Sequence, residues 1–160
     1  MMSPNFKTKS TVHPVRTFFV LLLLISGLGA AGQTPVKKGN LKVVVMQIKG
    51  NAGQVAFYLF DSGDGFPMKT GKALKSGYVK TTGSTAEYTF TDIATGTYAV
   101  FVFHDADNDK MLKTNFVGMP KEGMGVSNNA KGHFGPPKFE DAMFGFKNPG
   151  QVITISLVYL

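Results

Sequence analysis

The chain has 160 residues, 17 basic and 10 acidic side chains, a net charge of +7 and no cysteine. That length suits one domain with its own core, and the missing cysteine excludes a disulfide framework, a cysteine-based zinc site and a lipid-anchored N-terminus. Lysines are scattered, only Lys37 and Lys38 are adjacent, and no arginine follows Arg16, a pattern that argues against nucleic-acid binding.

The N-terminus reads as an export signal. Lys7, Lys9 and Arg16 precede the apolar run TFFVLLLLISGLG, and the small residues of AAGQT follow it. This is the n-region, short h-region and small-residue cleavage pattern of a Sec-type signal peptide over 1–32. Cleavage after Gly32 would leave 128 residues, and removing the three leader cations from +7 leaves +4. The expected location is secreted or periplasmic, with no membrane insertion once the leader is gone.

A linker over 33–40 leads into strand-like segments over 41–160. LKVVVMQI (Leu41–Ile48) is β-branched and apolar, and GQVAFYLF (Gly53–Phe60) follows a turn, so the two predict a hairpin. A turn-rich stretch, DSGDGFPMKTGKA, precedes a strand at Ala73–Lys80. TAEYTFTDI (Thr85–Ile93) alternates, with Ala86, Tyr88 and Phe90 on one face. Thr97–His104 follows the turn Ala94-Thr95-Gly96, which suggests a second hairpin. Short strands are expected at Ala142–Lys147 and Val152–Leu160, and no amphipathic helix stands out. The pattern predicts an all-β fold, a single antiparallel β-sandwich of about seven strands with a long loop between the fifth and sixth.

That loop, Asp105 to Asp141, runs about 37 residues without a clear strand, and such connections commonly carry function. It opens HDADNDKMLKTNFVGMPKEGMGVSNNA. Asp105, Asp107 and Asp109 alternate as the first ligands of a calcium loop do, with the Met111 carbonyl at the seventh position and Glu122 as a distant partner. The fit then fails: Lys110 stands where a sharp bend wants glycine, Lys113 at position nine and Phe116 where a bidentate Glu belongs. The plainer reading is that the aspartates and Asn108 cap a turn at a strand end. Calcium is the one cofactor these residues suggest.

Other constellations are weaker. Ser127 in GMGVSNN is not the G-x-S-x-G elbow of a serine hydrolase. Met111, Met119, Met124 and Met143 with His104 and His133 could suit copper, although their spacing is irregular and methionine more often fills core gaps. Phe134, Pro136, Pro137, Phe139 and Phe144 read as a cover over one open end of the sandwich.

The run from Phe103 to Ala130, the G-P-P-x-F-x-x-A segment at Gly135–Ala142 and the closing ITISLVYL resemble the exported bacterial family known as domain of unknown function 2141. The resemblance covers Leu41 to Leu160. It implies a secreted or periplasmic sandwich, similar in outline to transthyretin-like and carboxypeptidase-regulatory modules, and no established activity. Family members commonly read H-D-x-N-x-N-G-K-L-D here; this chain has Lys110 for the usual glycine and Lys113 for the usual aspartate. A transthyretin-like hydrolase of hydroxyisourate would end in Tyr-Arg-Gly-Ser, whereas this chain ends in SLVYL.

The expectation is an exported, non-enzymatic binding or structural module with His104–Ala130 as its functional face. His104, Asn115, Pro120, Ser127 and Asn128 would meet an envelope protein, peptide or glycan, and the acidic turn would hold any calcium. The alternative is a hydrolase acting on a small polar substrate, with His104, Asp105 and Glu122 as acid–base groups.

Overall fold

The computed structural model describes residues 36–132 and 134–160, so the expected leader and His133 lie outside the described residues. Eight strands form two packed sheets among these residues. β1 (Lys38–Met46), β4 (Thr85–Ala94) and β8 (Gln151–Ser156) make a three-stranded sheet in the order β4-β1-β8. β2 (Gln54–Phe60), β3 (Lys75–Lys80), β5 (Gly96–Asp105) and β6 (Met124–Val126) make the second in the order β3-β2-β5-β6, and β7 (Phe144–Phe146) pairs the start of β5.

Alternation builds the core between the sheets. Leu41, Val43 and Val45 of β1, Ala86 and Phe90 of β4 and Ile155 of β8 face Val55, Phe57, Leu59, Val100 and Val102 of the other sheet. Burying each of the larger side chains contributes about 1.5–3 kcal/mol. Ile93 joins the buried set although it is out of phase with Phe90. An extra residue in β4, opposite the step from Gly39 to Leu41 and with Asp92 at φ 57°, shifts the alternation there.

The runs GQVAFYLF and TYAVFVFHD have another cause for their near-continuous hydrophobicity: both faces of this sheet are covered. Ala56, Tyr58, Phe60, Ala99, Phe101 and Phe103 point away from the sandwich interior into a second core. Phe66, Leu112, Met124 and Phe139 from the connecting segments lie over it. Phe66 packs edge-on against both Phe60 and Phe139, with centroids 5.3 and 5.8 Å apart. The long connection is thus a lid on an apolar sheet face.

Both expected hairpins are overturned. β1 and β2 lie in different sheets, as do β4 and β5. Thr95 alone separates β4 from β5, too short a link for a paired turn, so the chain bends from one sheet into the other. The hairpin that forms is β2–β3, across the turn-rich segment and a 3-10 turn at Thr70–Lys72. β1 begins at Lys38, three residues inside the expected linker, and pairs β8 in parallel, so the sandwich is not wholly antiparallel.

The connection after β5 also holds more structure than its composition signals. It contains β6, a 3-10 turn at Ser127–Asn129 and the four-residue helix α1 (Phe139–Ala142). The aromatic and proline segment is not a single end cap. Phe139 covers the outer sheet face, Phe144 packs with the core between the sheets, and Phe134 is exposed.

Candidate functional site

Strand alternation decides the chemistry at the end of β5. His104 continues the row of Val100 and Val102 toward the sheet interface, and Asp105 continues the row of Phe101 and Phe103 on the outer face. Neighbours in sequence, they point to opposite sides of the sheet.

His104 is buried and both ring nitrogens are engaged. Nε2 lies 2.8 Å from the Ala52 carbonyl, which can only accept, so this nitrogen carries the proton. Nδ1 then accepts from the Tyr159 hydroxyl at 3.0 Å, and that oxygen accepts from Lys49 N–H at 2.9 Å. Burial pushes the Tyr159 hydroxyl up from its ordinary pKa, partly offset by the Lys49 N–H. Gly123 makes this packing fit, since a Cβ there would stand 2.3 Å from the Tyr159 ring.

Asp105 is fully buried, and its carboxylate shapes the turn that follows. Oδ1 accepts from Asp109 N–H at 3.1 Å, and Oδ2 accepts from Lys110 N–H at 3.0 Å and from Gln54 Nε2 at 2.7 Å. Asn108 and Lys110 take φ values of 63° and 64°, so the sharp bend forms with lysine where glycine would be easier. Lys110 reaches the Tyr78 ring, its Nζ 5.3 Å from the centroid. Glu122 closes the loop: Oε1 accepts from Ala106 N–H at 3.0 Å and Oε2 from Lys113 N–H at 3.1 Å.

Carboxylate oxygens of Asp105, Asp107 and Asp109 converge within 4.8 Å of one another. Glu122 is not in that group, and Met111 joins the turn through its N–H, which donates to Asp109 Oδ1 at 2.8 Å. The Lys113 ammonium contacts Asp107 and lies 3.3 Å from Asp109 Oδ2. A tethered cation therefore already contacts two of the three acids and offsets one of their charges. Calcium wants six to eight oxygen ligands, and here Lys113 would first have to leave.

The remaining expected residues are framework or tip. Ser127 is buried, donates to the Ala142 carbonyl at 2.6 Å and accepts from Val100 N–H at 2.9 Å. Asn128 donates to the Met143 carbonyl at 2.9 Å, tying the segment before β7 to the 3-10 turn. Asn115 Oδ1 accepts from Val117 and Met119 N–H at 3.0 and 2.9 Å, and Thr114 pairs with Pro120 across the same tight turn. Among the four methionines, Met124 packs in the outer core whereas Met111, Met119 and Met143 are exposed. With both His104 nitrogens engaged, no described imidazole is open to a soft metal. A cavity of about 620 Å³ beside β6 is lined mainly by apolar and backbone groups, with Lys131 and Asn129 among its described lining residues.

Gln54, Lys49, Tyr159 and Asn129 complete these networks and carry no motif of their own. Asn129 Oδ1 accepts from Ser156 N–H at 2.8 Å, joining the turn to β8. The one signal in the sequence is polarity at the ends of apolar strands, where Gln54 and Tyr159 sit.

Two packed sheets, one covered on its outer face by a self-bonded acidic loop, define a small all-β sandwich domain. The chain belongs to the family described as "Uncharacterized protein conserved in bacteria (DUF2141)", whose model matches residues 43–154. No curated protein and no solved structure is matched.

Proposed function

We propose that the protein is an exported, non-catalytic binding module that presents the segment from His104 to Ala130 to a partner in the cell envelope or outside it. One observation carries this reading. The side chains hydrolysis would need are held in framework hydrogen bonds, both nitrogens of His104 and both oxygens of Asp105 and Glu122, while Phe116 stands wholly in solvent. General acid–base work requires a group within reach of substrate and free to exchange its proton. The hydrolase alternative needs these groups to release the backbone they hold.

The test uses the whole chain, expressed in bacteria with a photo-cross-linking amino acid at position 116 or, as a control, at the exposed Val152. The expected result is a processed protein outside the cytoplasm that forms adducts at 116 and not at 152. Retention in the cytoplasm, or equal adducts at both positions, would overturn the reading.

A second reading, a weak calcium site, is favoured by the convergence of Asp105, Asp107 and Asp109. Thermal unfolding in chelator and in about 10 mM calcium tests it. A dissociation constant near 10⁻⁴ M would add about 2.7 kcal/mol by linkage, and no shift would leave the aspartates as turn residues.

A further inference from the structure

We infer that the tip between Lys113 and Lys121 docks on an anionic lipid surface, with Phe116 and Val117 entering the boundary between headgroups and acyl chains. This rests on the reading of the loop as the binding face and names its partner. It also departs from the expectation that nothing enters a membrane after the leader is removed.

The tip is built to keep apolar side chains in water. Asn115 N–H donates to the Met119 carbonyl at 2.8 Å, Gly118 N–H to the Asn115 carbonyl at 3.0 Å, and Lys121 N–H to the Lys113 carbonyl at 2.8 Å. With the Asn115 side chain capping Val117 and Met119, these bonds fix the turn, and Gly118 supplies its left-handed residue at φ 81°. Leu112 just before it folds back onto the outer core. Phe116 does not: it is 100% exposed, in the same turn as Val117 at 63% and Met119 at 46%. An apolar tip held out by its own backbone is a surface seeking an apolar medium.

Shape and charge choose the medium. The three side chains offer about 400 Å², from roughly 200 Å² for a large side chain. A stable protein interface takes about 800 Å² from each partner around a packed centre. A lipid boundary accepts a small convex apolar tip without a matching pocket. Lys121 stands exposed at the base of the tip and Lys110 flanks it, while Lys113 is held by Asp107 and Asp109; the first two cations suit an anionic headgroup layer.

The chain has no tryptophan, so Phe116→Trp places a single indole at the tip, and its emission reports that position whatever the rest of the chain does. Mixed phosphatidylcholine–phosphatidylglycerol vesicles should shift the emission to the blue at low salt, and brominated lipid should quench it. Pure phosphatidylcholine should do so far less, and Val152→Trp should not respond. Adding Lys121→Glu to the Phe116→Trp chain should weaken partitioning at least about fivefold. No blue shift at 116 with the anionic vesicles, or the same shift at 152, would overturn the inference. A protein adduct from position 116 without lipid quenching would also overturn it while keeping the binding face. Loss of both the adduct and the shift would sink the two readings together.

Discussion

Asp105→Asn isolates what the buried carboxylate does, because it keeps the shape and removes one acceptor. Gln54 can turn its amide to meet the new NH₂ group. Lys110 N–H cannot turn, and where it now donates to Oδ2 at 3.0 Å it would face a donor. Losing one charge-assisted bond and leaving its donor unpaired costs about 2 kcal/mol. For a domain of this size that lowers Tm by roughly 6–10 °C. Asp107→Asn is the matched control: its side chain is 46% exposed and pairs with Lys113 at the surface, so it should cost about 0.5 kcal/mol or less. Urea unfolding in chelator reads both variants, and hydrogen exchange should show the Asp109 and Lys110 amides losing protection only in Asp105→Asn. Equal midpoints for the two variants would refute the reasoning.

Removing the Lys113 ammonium should open the acidic turn to calcium. Lys113→Ala is expected to gain a calcium-dependent rise in Tm larger than that of the unmodified chain, and identical responses would discount the tethered cation. Gly53→Ala should destabilise by about 2 kcal/mol or more by urea unfolding, since its Cβ would stand 2.0 Å from the Asp105 carbonyl oxygen at φ 76°. Gly50→Ala, also at positive φ but with open space around it, should cost only about 1 kcal/mol. Burial raises the hydroxyl pKa of Tyr58, Tyr98 and Tyr159 above the ordinary value of 10.0. The folded state therefore holds these protons more tightly than the unfolded one. Their stabilisation is complete below about pH 10 and falls as the pH rises further. Tyr159→Phe should blunt that alkaline loss in pH-dependent unfolding.

What was legible in the sequence is what period and composition encode. The alternation of Val43 and Val45, or of Ile153, Ile155 and Leu157, marks strands with one covered face, and the sandwich follows from their number. Pairing was not legible, because the sequence does not mark where β4 stops and β5 starts, and Ala94-Thr95-Gly96 reads as a turn until Thr95 alone is known to separate them. β6 is three residues long and its strand character comes from pairing with Phe101, Val102 and Phe103 rather than from its own MGV. At the candidate site, the aspartates and Glu122 stand out by type. Their use does not, since whether Asp105 faces a metal or a backbone depends on Gln54, which is 51 residues away. That His104 and Asp105 part company follows from period two alone.

The parallel pairing of β1 with β8 has a consequence for how the molecule is made. Leu41 meets Gln151 and Met46 meets Ser156, so the first sheet is finished by the strand that comes last along the chain. Such distant pairing is slow to form, since a long stretch of chain must be brought round first. Until residue 156 is free, β1 keeps one hydrogen-bonding edge bare and the core beneath it lacks Ile155 and Leu157. Whatever holds the residues of β8 back would therefore keep the molecule pliable, and only their release lets the sandwich close.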